Sequence, residues 1–242
     1  TVIVSQKGWV RVRQGHEHES QQFTFKAGDA LYDTFECRTV DQMLGFGTDG
    51  RVYTVPVSEL PGARGDGSPL TSFVNLAPGS QMVAYYAGHA DDLVLISTKG
   101  GNGFLANVAD MVTRNKAGKS FVGLDKKMQG DAPLGAAKVI EGMRQVACLS
   151  ENGRLLVFPL DELKRLPTGG KGVILMGLDA KEFLRSAIAF GSEGASYSGL
   201  GRGGKPTDTI LDAKALKGFA GNRARKGHLV EPRLKEARLK AN

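Results

Sequence analysis

The sequence predicts an all-β chain, a propeller-like array of about five four-stranded blades. Three observations lead there. Glycine is abundant, at 33 of 242 residues, and aromatic residues make up only 7%, which implies many turns. The apolar runs, such as "LVLIS" (93–97) and "VILMG" (173–177), are strand-length, and none approaches the ~20 residues a membrane helix needs. The sequence also repeats itself about every fifty residues, as stacked supersecondary units do.

The repeat is clearest in "TDGRVYTVPVSEL" (48–60), "TKGGNGFLANVADM" (98–111) and "SENGRLLVFPLDEL" (150–163). Each stretch opens with a polar glycine turn, continues as an apolar strand and ends in a short acidic-and-apolar corner. Gly50, Gly101, Gly153 and Gly204 are 51, 52 and 51 residues apart. An earlier, shorter repeat opens at "SQKGWVRVR" around Gly8. The five repeats cover about 1–40, 41–88, 89–141, 142–190 and 191–242.

In the first repeat, "WVRVR" alternates. Val10 and Val12 should share one face, and Arg11 and Arg13 the opposite, exposed one. In the second, "QMLGFG" and "RVYTVPV" form a hairpin around Asp49-Gly50, a pair suited to tight turns; "LTSFVNL" and "SQMVAYYA" supply two more strands. The third offers "LVLIS", "GFLANV", "SFVGL" and "LGAAKVI", and the fourth "QVACLS", "RLLVFP", "VILMGL" and "SAIAF". The fifth has its hairpin turn at Gly204, a strand at "TDTIL" and a corner at "DAKAL" ending at Leu216. One four-stranded sheet cannot bury both faces, whereas several stacked sheets can.

A second turn follows each corner, and it is basic: "PGARGDG" with Arg64, "TRNKAGK" with Arg114, Lys116 and Lys119, "KRLPTGGKG" with Lys164, Arg165 and Lys171, and "KGFAGNRARKG" with Lys217, Arg223, Arg225 and Lys226. Gly67, Gly118, Gly172 and Gly227 close these turns. The first repeat's counterpart is expected at "FKAGD", with Lys26. Repeated cations at equivalent positions suit a phosphate backbone, and such contacts carry no base code. Arg11, Arg13, Arg202 and Lys205 are further candidate contacts. Net charge is +7, and all of it lies in residues 201–242, where 11 Lys and Arg face 4 Asp and Glu. A basic arm of that kind reads as an anion-binding surface.

Other signals are weaker. Cys37 and Cys148 lie in apolar segments with no C-x-x-C spacing, so they read as buried free thiols in a reducing cytoplasm. "HEH" (16–18) lacks a further metal ligand at suitable spacing and reads as an exposed loop. "RGD" (64–66) reads as a chance tripeptide, and Trp9 as a strand residue that packs. Gly199, Gly204 and Lys205 in "GLGRGGKP" fit the start of a phosphate-binding P-loop. That loop requires Ser or Thr after the lysine and a helix beyond; here Pro206 and a strand follow. No cofactor and no metal are expected.

"TVIVSQKGWVRVRQGH", "KAGD", "LPGARGDGSPLT", "MVTRNKAGK" and "NGRLLVFPLDEL" resemble the C-terminal domains of the ParC-type subunits of bacterial DNA topoisomerase IV, within a wider family that includes gyrase A. The resemblance covers the whole chain and weakens over 191–242. It implies a β-pinwheel, a propeller-like disc, closed or broken, whose blades exchange a strand with their neighbours. It implies non-sequence-specific binding and bending of double-stranded DNA, which is presented to the N-terminal cleavage core for decatenation and relaxation. The ATPase would lie on the partner subunit. The gyrase box "QRRGGKG" has no full copy here; "RGGK" (202–205) and "GGKG" (169–172) are fragments of it. A gyrase A wrapping domain with a degenerate box is therefore the near alternative, and a protein-interaction scaffold the distant one. None of the five tyrosines follows an arginine, as the family's catalytic tyrosine does, so no catalysis is expected from this chain alone. The chain, which starts at Thr1, reads as a fragment of a longer, bacterial, nucleoid-associated subunit, with the isolated domain monomeric and not membrane-bound.

Overall fold

The computed structural model describes residues 1–242, the side chain of Gln21 excepted. The first repeat supplies strands β1 (Val2–Ser5), β2 (Trp9–Val12) and β3 (Leu31–Phe35). The second supplies β4 (Gln42–Gly47), β5 (Arg51–Pro56), β6 (Ser68–Pro69) and β7 (Met82–Gly88). The third supplies β8 (Leu93–Thr98), β9 (Asn102–Asn107), β10 (Lys119–Ser120) and β11 (Pro133–Val139). The fourth supplies β12 (Gln145–Ser150), β13 (Arg154–Pro159), β14 (Val173–Ile174) and β15 (Leu184–Phe190). The fifth supplies β16 (Ala195–Leu200), β17 (Pro206–Leu211), β18 (His228–Leu229) and β19 (Lys235–Ala241). The corners are single helical turns, among them α1 (Val108–Met111) and α2 (Ala213–Lys217).

The chain divides into two compact units, Thr1–Asp92 with Asn107–Val122, and Leu93–Ala106 with Gly123–Asn242. The first unit holds two sheets, in the orders β3-β1-β2-β6 and β10-β5-β4-β7. The second holds three, β11-β8-β9-β14, β15-β12-β13-β18 and β17-β16-β19. The fold class is therefore all-β, with propeller-type sheets in series along the chain.

In four sheets the edge strand comes from the following repeat, the strand exchange that the resemblance implies. This donated strand is only two residues long, so "LTSFVNL", "SFVGL" and "VILMGL" are not the full strands expected from their apolar content. The hydrogen bonding explains why. After the two residues, the chain turns inward to bond the hairpin glycine of the receiving sheet. Leu70 N–H donates to Gly8 O at 2.9 Å, Phe121 N–H to Gly50 O at 3.2 Å, Leu175 N–H to Gly101 O at 2.7 Å, and Val230 N–H to Gly153 O at 2.9 Å. The anchoring side chains Leu70, Phe121, Leu175 and Val230 are all buried. Each contributes on the order of 1.5–3 kcal/mol of apolar burial. The hairpin glycine spacing visible in the sequence is thus the spacing of four docking points.

The hairpins repeat closely. The amide of Gly8, Gly50, Gly101, Gly153 and Gly204 bonds in each case the carbonyl three residues before it. Gly204 therefore lies in a blade turn, between β16 and β17. The fifth sheet departs from the expected four strands: among the described residues no donated strand covers β17. Val10, Val52, Gly103 and Leu155, each two residues after the hairpin glycine, pair with the donated strands. Their counterpart in the fifth sheet is Pro206, which has no N–H to offer.

The core of the first unit gathers Val2, Val4, Val10, Met43, Tyr53, Leu70 and Tyr85. In the second unit one cluster includes Leu95, Cys148, Phe158 and Leu175, and another Leu149, Leu155, Tyr197, Val230 and Leu239. Both cysteines are free; Cys148 is buried, as expected, while Cys37 is only partly so. Burial pushes the Cys148 thiol well above its usual range.

Candidate nucleic-acid interface

The basic turns are excursions pinned at both ends to one strand. In the first sheet Val12 N–H donates to Pro61 O at 2.8 Å, and the chain returns at β6. In the third sheet Leu105 N–H donates to Lys164 O at 2.8 Å, and in the fourth Val157 N–H donates to Phe219 O at 2.9 Å. The closing glycine makes the return possible. A Cβ on Gly67 (φ 86°) would lie 2.2 Å from Val10 O, and one on Gly172 (φ 74°) 2.1 Å from Gly103 O. Only glycine fits such an approach at positive φ. The geometry leaves the middle of each turn projecting from the sheet edge.

In the first unit, Arg64, Arg114 and Lys116 project into solvent. Asn115 organises its own turn: its side-chain oxygen accepts Ala117 N–H at 3.0 Å, and its N–H donates to Thr113 Oγ1 at 3.2 Å. Lys119 faces inward instead, donating to Asp110 O at 2.5 Å. Arg13 donates to Gln22 Oε1 at 3.3 Å beside an open cleft of about 250 Å³.

Two expectations are corrected here. Arg11 is buried, at 6% exposure. Its guanidinium donates to Gly65 O at 2.7 Å and Thr24 O at 2.6 Å and lies 5.3 Å from the centre of the Phe25 ring. Counting from the hairpin glycine, Arg11 occupies the place held by Tyr53, Phe104 and Leu156, all buried. Alternation in "WVRVR" put it on an open face, but that position is enclosed in the first four repeats. Lys26 is not in the counterpart of a basic turn either. Its loop docks on the first hairpin, where the Asp29 carboxylate accepts Ser5 Oγ at 2.6 Å and Lys7 N–H at 3.1 Å. Lys26 Nζ lies 3.6 Å from the centre of the Trp9 ring and 4.0 Å from the Asp66 carboxylate. Trp9 thus packs under a cation.

In the second unit, Arg225 is exposed in the turn of the fourth sheet, and Arg202 and Lys205 in the hairpin of the fifth. The other candidates are engaged within the protein. Lys171 pairs with Asp125 at 3.2 Å. The Lys127 backbone N–H and then Lys171 hold the Asp125 carboxyl below the usual carboxylate range. Arg223 donates to Ile174 O at 2.5 Å and approaches Glu162 at 3.7 Å. Lys226 pairs with Asp179 and is the main cause of that carboxyl's lowered pKa.

Six of the thirteen candidates therefore carry no ion pair or side-chain hydrogen bond among the described residues: Arg64, Arg114, Lys116, Arg202, Lys205 and Arg225. The sequence reading missed Arg51, whose guanidinium grips a basic turn, and the exposed Arg238 and Lys240 of β19, which alternate with buried Ala237 and Leu239. That period of two in "EARLKA" was the available signal; for Arg51 there was none. Among the described residues no cluster of His, Cys, Asp or Glu could hold a metal. The exposed His16 lies 3.2 Å from Cys37 O. No helix of the described residues is long and apolar enough to cross a membrane.

With that geometry in place, the chain can be set beside known proteins. The family model for the DNA gyrase C-terminal domain, a beta-propeller, matches residues 41–83 and 144–190. The A-type polypeptide of DNA topoisomerase 4 from Neisseria gonorrhoeae is 33% identical over 93% of this chain, and that from Caulobacter vibrioides 32% over 95%. The chain spans about 30% of the length of these relatives. Among solved structures, the E. coli ParC C-terminal domain superposes with a TM-score of 0.75 at 25% identity, covering 99% of this chain and 96% of that one. A gyrase A C-terminal domain gives 0.67 at 18% identity, covering 94% and 75%.

Proposed function

The chain belongs to the family of C-terminal domains found in ParC-type topoisomerase IV and gyrase A polypeptides, and from that premise we propose that it binds and bends double-stranded DNA without reading its sequence. The observation that supports this most is the set of unpaired cations, Arg64, Arg114, Lys116 and Arg225, each on a turn fixed to a sheet edge, by a backbone bond in the first and fourth sheets and by Thr113 N–H donating to Thr54 Oγ1 at 3.2 Å in the second. Rigid turns present charge without the entropy cost of ordering a loose tail. Contacts of this kind go to phosphate, so affinity is set by charge and salt and not by sequence. In the full-length protein this domain would hand a DNA segment to the cleavage core for decatenation and relaxation. Strand cleavage and ATP hydrolysis would be carried out elsewhere in the enzyme. The curated relatives above, named as topoisomerase 4, and the incomplete gyrase box favour that role over chiral wrapping.

The test is a titration of random-sequence duplex at several salt concentrations. If about six phosphates are neutralised, the log–log slope is roughly −5, at about −0.9 per contact. Reversing Arg64, Arg114, Lys116 and Arg225 together to Glu should weaken binding about a hundredfold or more near 100 mM salt. Reversing four exposed acidic residues should not. Equal effects from the two sets would refute the reading. Ring closure of short duplexes measures the bend.

A further inference from the structure

Resting on the DNA-binding reading above, one residue outside the set of candidate contacts stands out. In the turn of the second sheet, the carbonyls of four successive residues are all taken from within the protein. Asn115 O accepts Gly118 N–H at 2.9 Å, and Lys116 O accepts Asn75 N–H at 2.8 Å. Ala117 O accepts Arg51 Nε–H at 2.9 Å, and Gly118 O accepts Arg51 Nη2–H at 2.8 Å. Of the three exposed side chains at the tip, Asn115 is bonded into its own turn, and Arg114 and Lys116 are both cationic and both unpaired. In the first sheet, Arg11 takes Gly65 O in the same manner, beside exposed Arg64.

We propose that Arg51 is a positioning residue for DNA affinity: it draws the turn's carbonyl oxygens inward, so that the face offered to a phosphate carries only donors and positive charge. A free carbonyl carries partial negative charge and repels a phosphate oxygen. Turning two of them away therefore strengthens the field at the tip. The fork geometry is what matters, because a planar guanidinium can serve two neighbouring acceptors at fixed angles and an ammonium cannot. Arg51 has no carboxylate partner among the described ion pairs, so its own charge adds to the potential from beneath. Arg51 does not touch the DNA in this scheme; Arg114 and Lys116 do.

The experiment compares Arg51→Lys and Arg51→Met with the unchanged 242-residue chain. The probe is a random-sequence duplex of about 25 bp, a length over which bending has an appreciable cost. Binding is read as affinity and salt slope, and limited trypsin digestion with peptide mapping reads cleavage after Arg114 and Lys116. Both variants should bind about three- to tenfold more weakly, a loss in line with two hydrogen bonds. Both should be cleaved faster at the turn. The salt slope should stay within about half a contact of the unchanged chain, since no phosphate contact has been deleted. The slope does not depend on the folded fraction, so a partly unfolded variant is still readable. The proposal is overturned if Arg51→Lys binds like the unchanged chain while Arg51→Met lowers the slope by about 0.9, which would make Arg51 a phosphate contact itself. Unchanged affinity in both variants overturns it too. If the unchanged chain shows no salt-dependent binding, the DNA reading falls and the proposal with it, whereas faster cleavage in the variants would show that the tether itself exists.

Discussion

The fourth and fifth sheets start from the same hairpin and end differently. Gly153 and Gly204 lie 51 residues apart, and each amide bonds the carbonyl three residues before it. Beyond them, the fourth sheet offers Leu155, which pairs with the donated strand, and Val157, which exchanges backbone bonds with Phe219 and Gly221; both are buried. At the same distances from its glycine the fifth sheet has Pro206 and Asp208, both exposed. Proline removes the donor that the incoming strand would use, and the carboxylate would be stranded without water if anything covered it. Proline and charge are common ways of keeping a sheet edge from pairing. Pro206 and Asp208 thus make the edge of the fifth sheet a poor acceptor of a further strand.

The largest test moves the fifth-sheet residue into the fourth. Val157→Asp should destabilise the chain by about 4 kcal/mol, because it buries an unpaired charge. The reverse change, Asp208→Val on the open edge, should stay within about 0.5 kcal/mol. Urea unfolding followed by circular dichroism reads both; similar losses in the two would break the contrast. A smaller difference should separate two glycines of like conformation. Gly227→Ala places a Cβ 2.3 Å from Leu155 O at φ 72°, whereas Gly204, at φ 74°, has open space around it. We expect losses of about 3 kcal/mol for the first and about 1 kcal/mol for the second, the latter being backbone strain alone. The smallest effect concerns Lys226 and Asp179, a pair that ties the fourth sheet's turn to the loop after β14 and has no equivalent at the open edge. The Asp179 carboxyl is held below its ordinary 3.8. The pair's contribution is therefore present above that pH and fades as pH falls through the lowered value. Asp179→Asn should melt slightly lower than the parent at pH 7 and at nearly the same temperature near pH 3. A gap that widens on acidification would contradict this sign.

The sequence made the repeat, the hairpins and the middle strands visible, because each has a period or a turn residue. The donated strands were harder to see. Two residues have no period, and nothing local in "GVIL" says that Val173 pairs with Gly103 of the preceding repeat. At the site, Arg64, Arg114, Lys116 and Arg225 could be placed on turns from spacing alone. Lys119, Lys171, Arg223 and Lys226 could not be told apart from them, because their partners Asp110, Asp125, Ile174 and Asp179 come from elsewhere in the chain. Arg11 was within reach. Alignment of the repeats sets it against Tyr53, Phe104 and Leu156, which argues for burial more strongly than alternation argues for exposure.

Strand donation also gives the array a direction in time. Synthesis runs from the first repeat toward the fifth, and no sheet that receives a strand can be finished from its own repeat. The second sheet waits for Lys119 and Ser120, and the fourth for His228 and Leu229. At every moment of synthesis the newest sheet has one raw edge, and each new repeat closes its predecessor while opening its own. In the fifth, Pro206 and Asp208 already make that edge a poor template. A nascent chain halted after Asp92 would lack that protection on its second sheet.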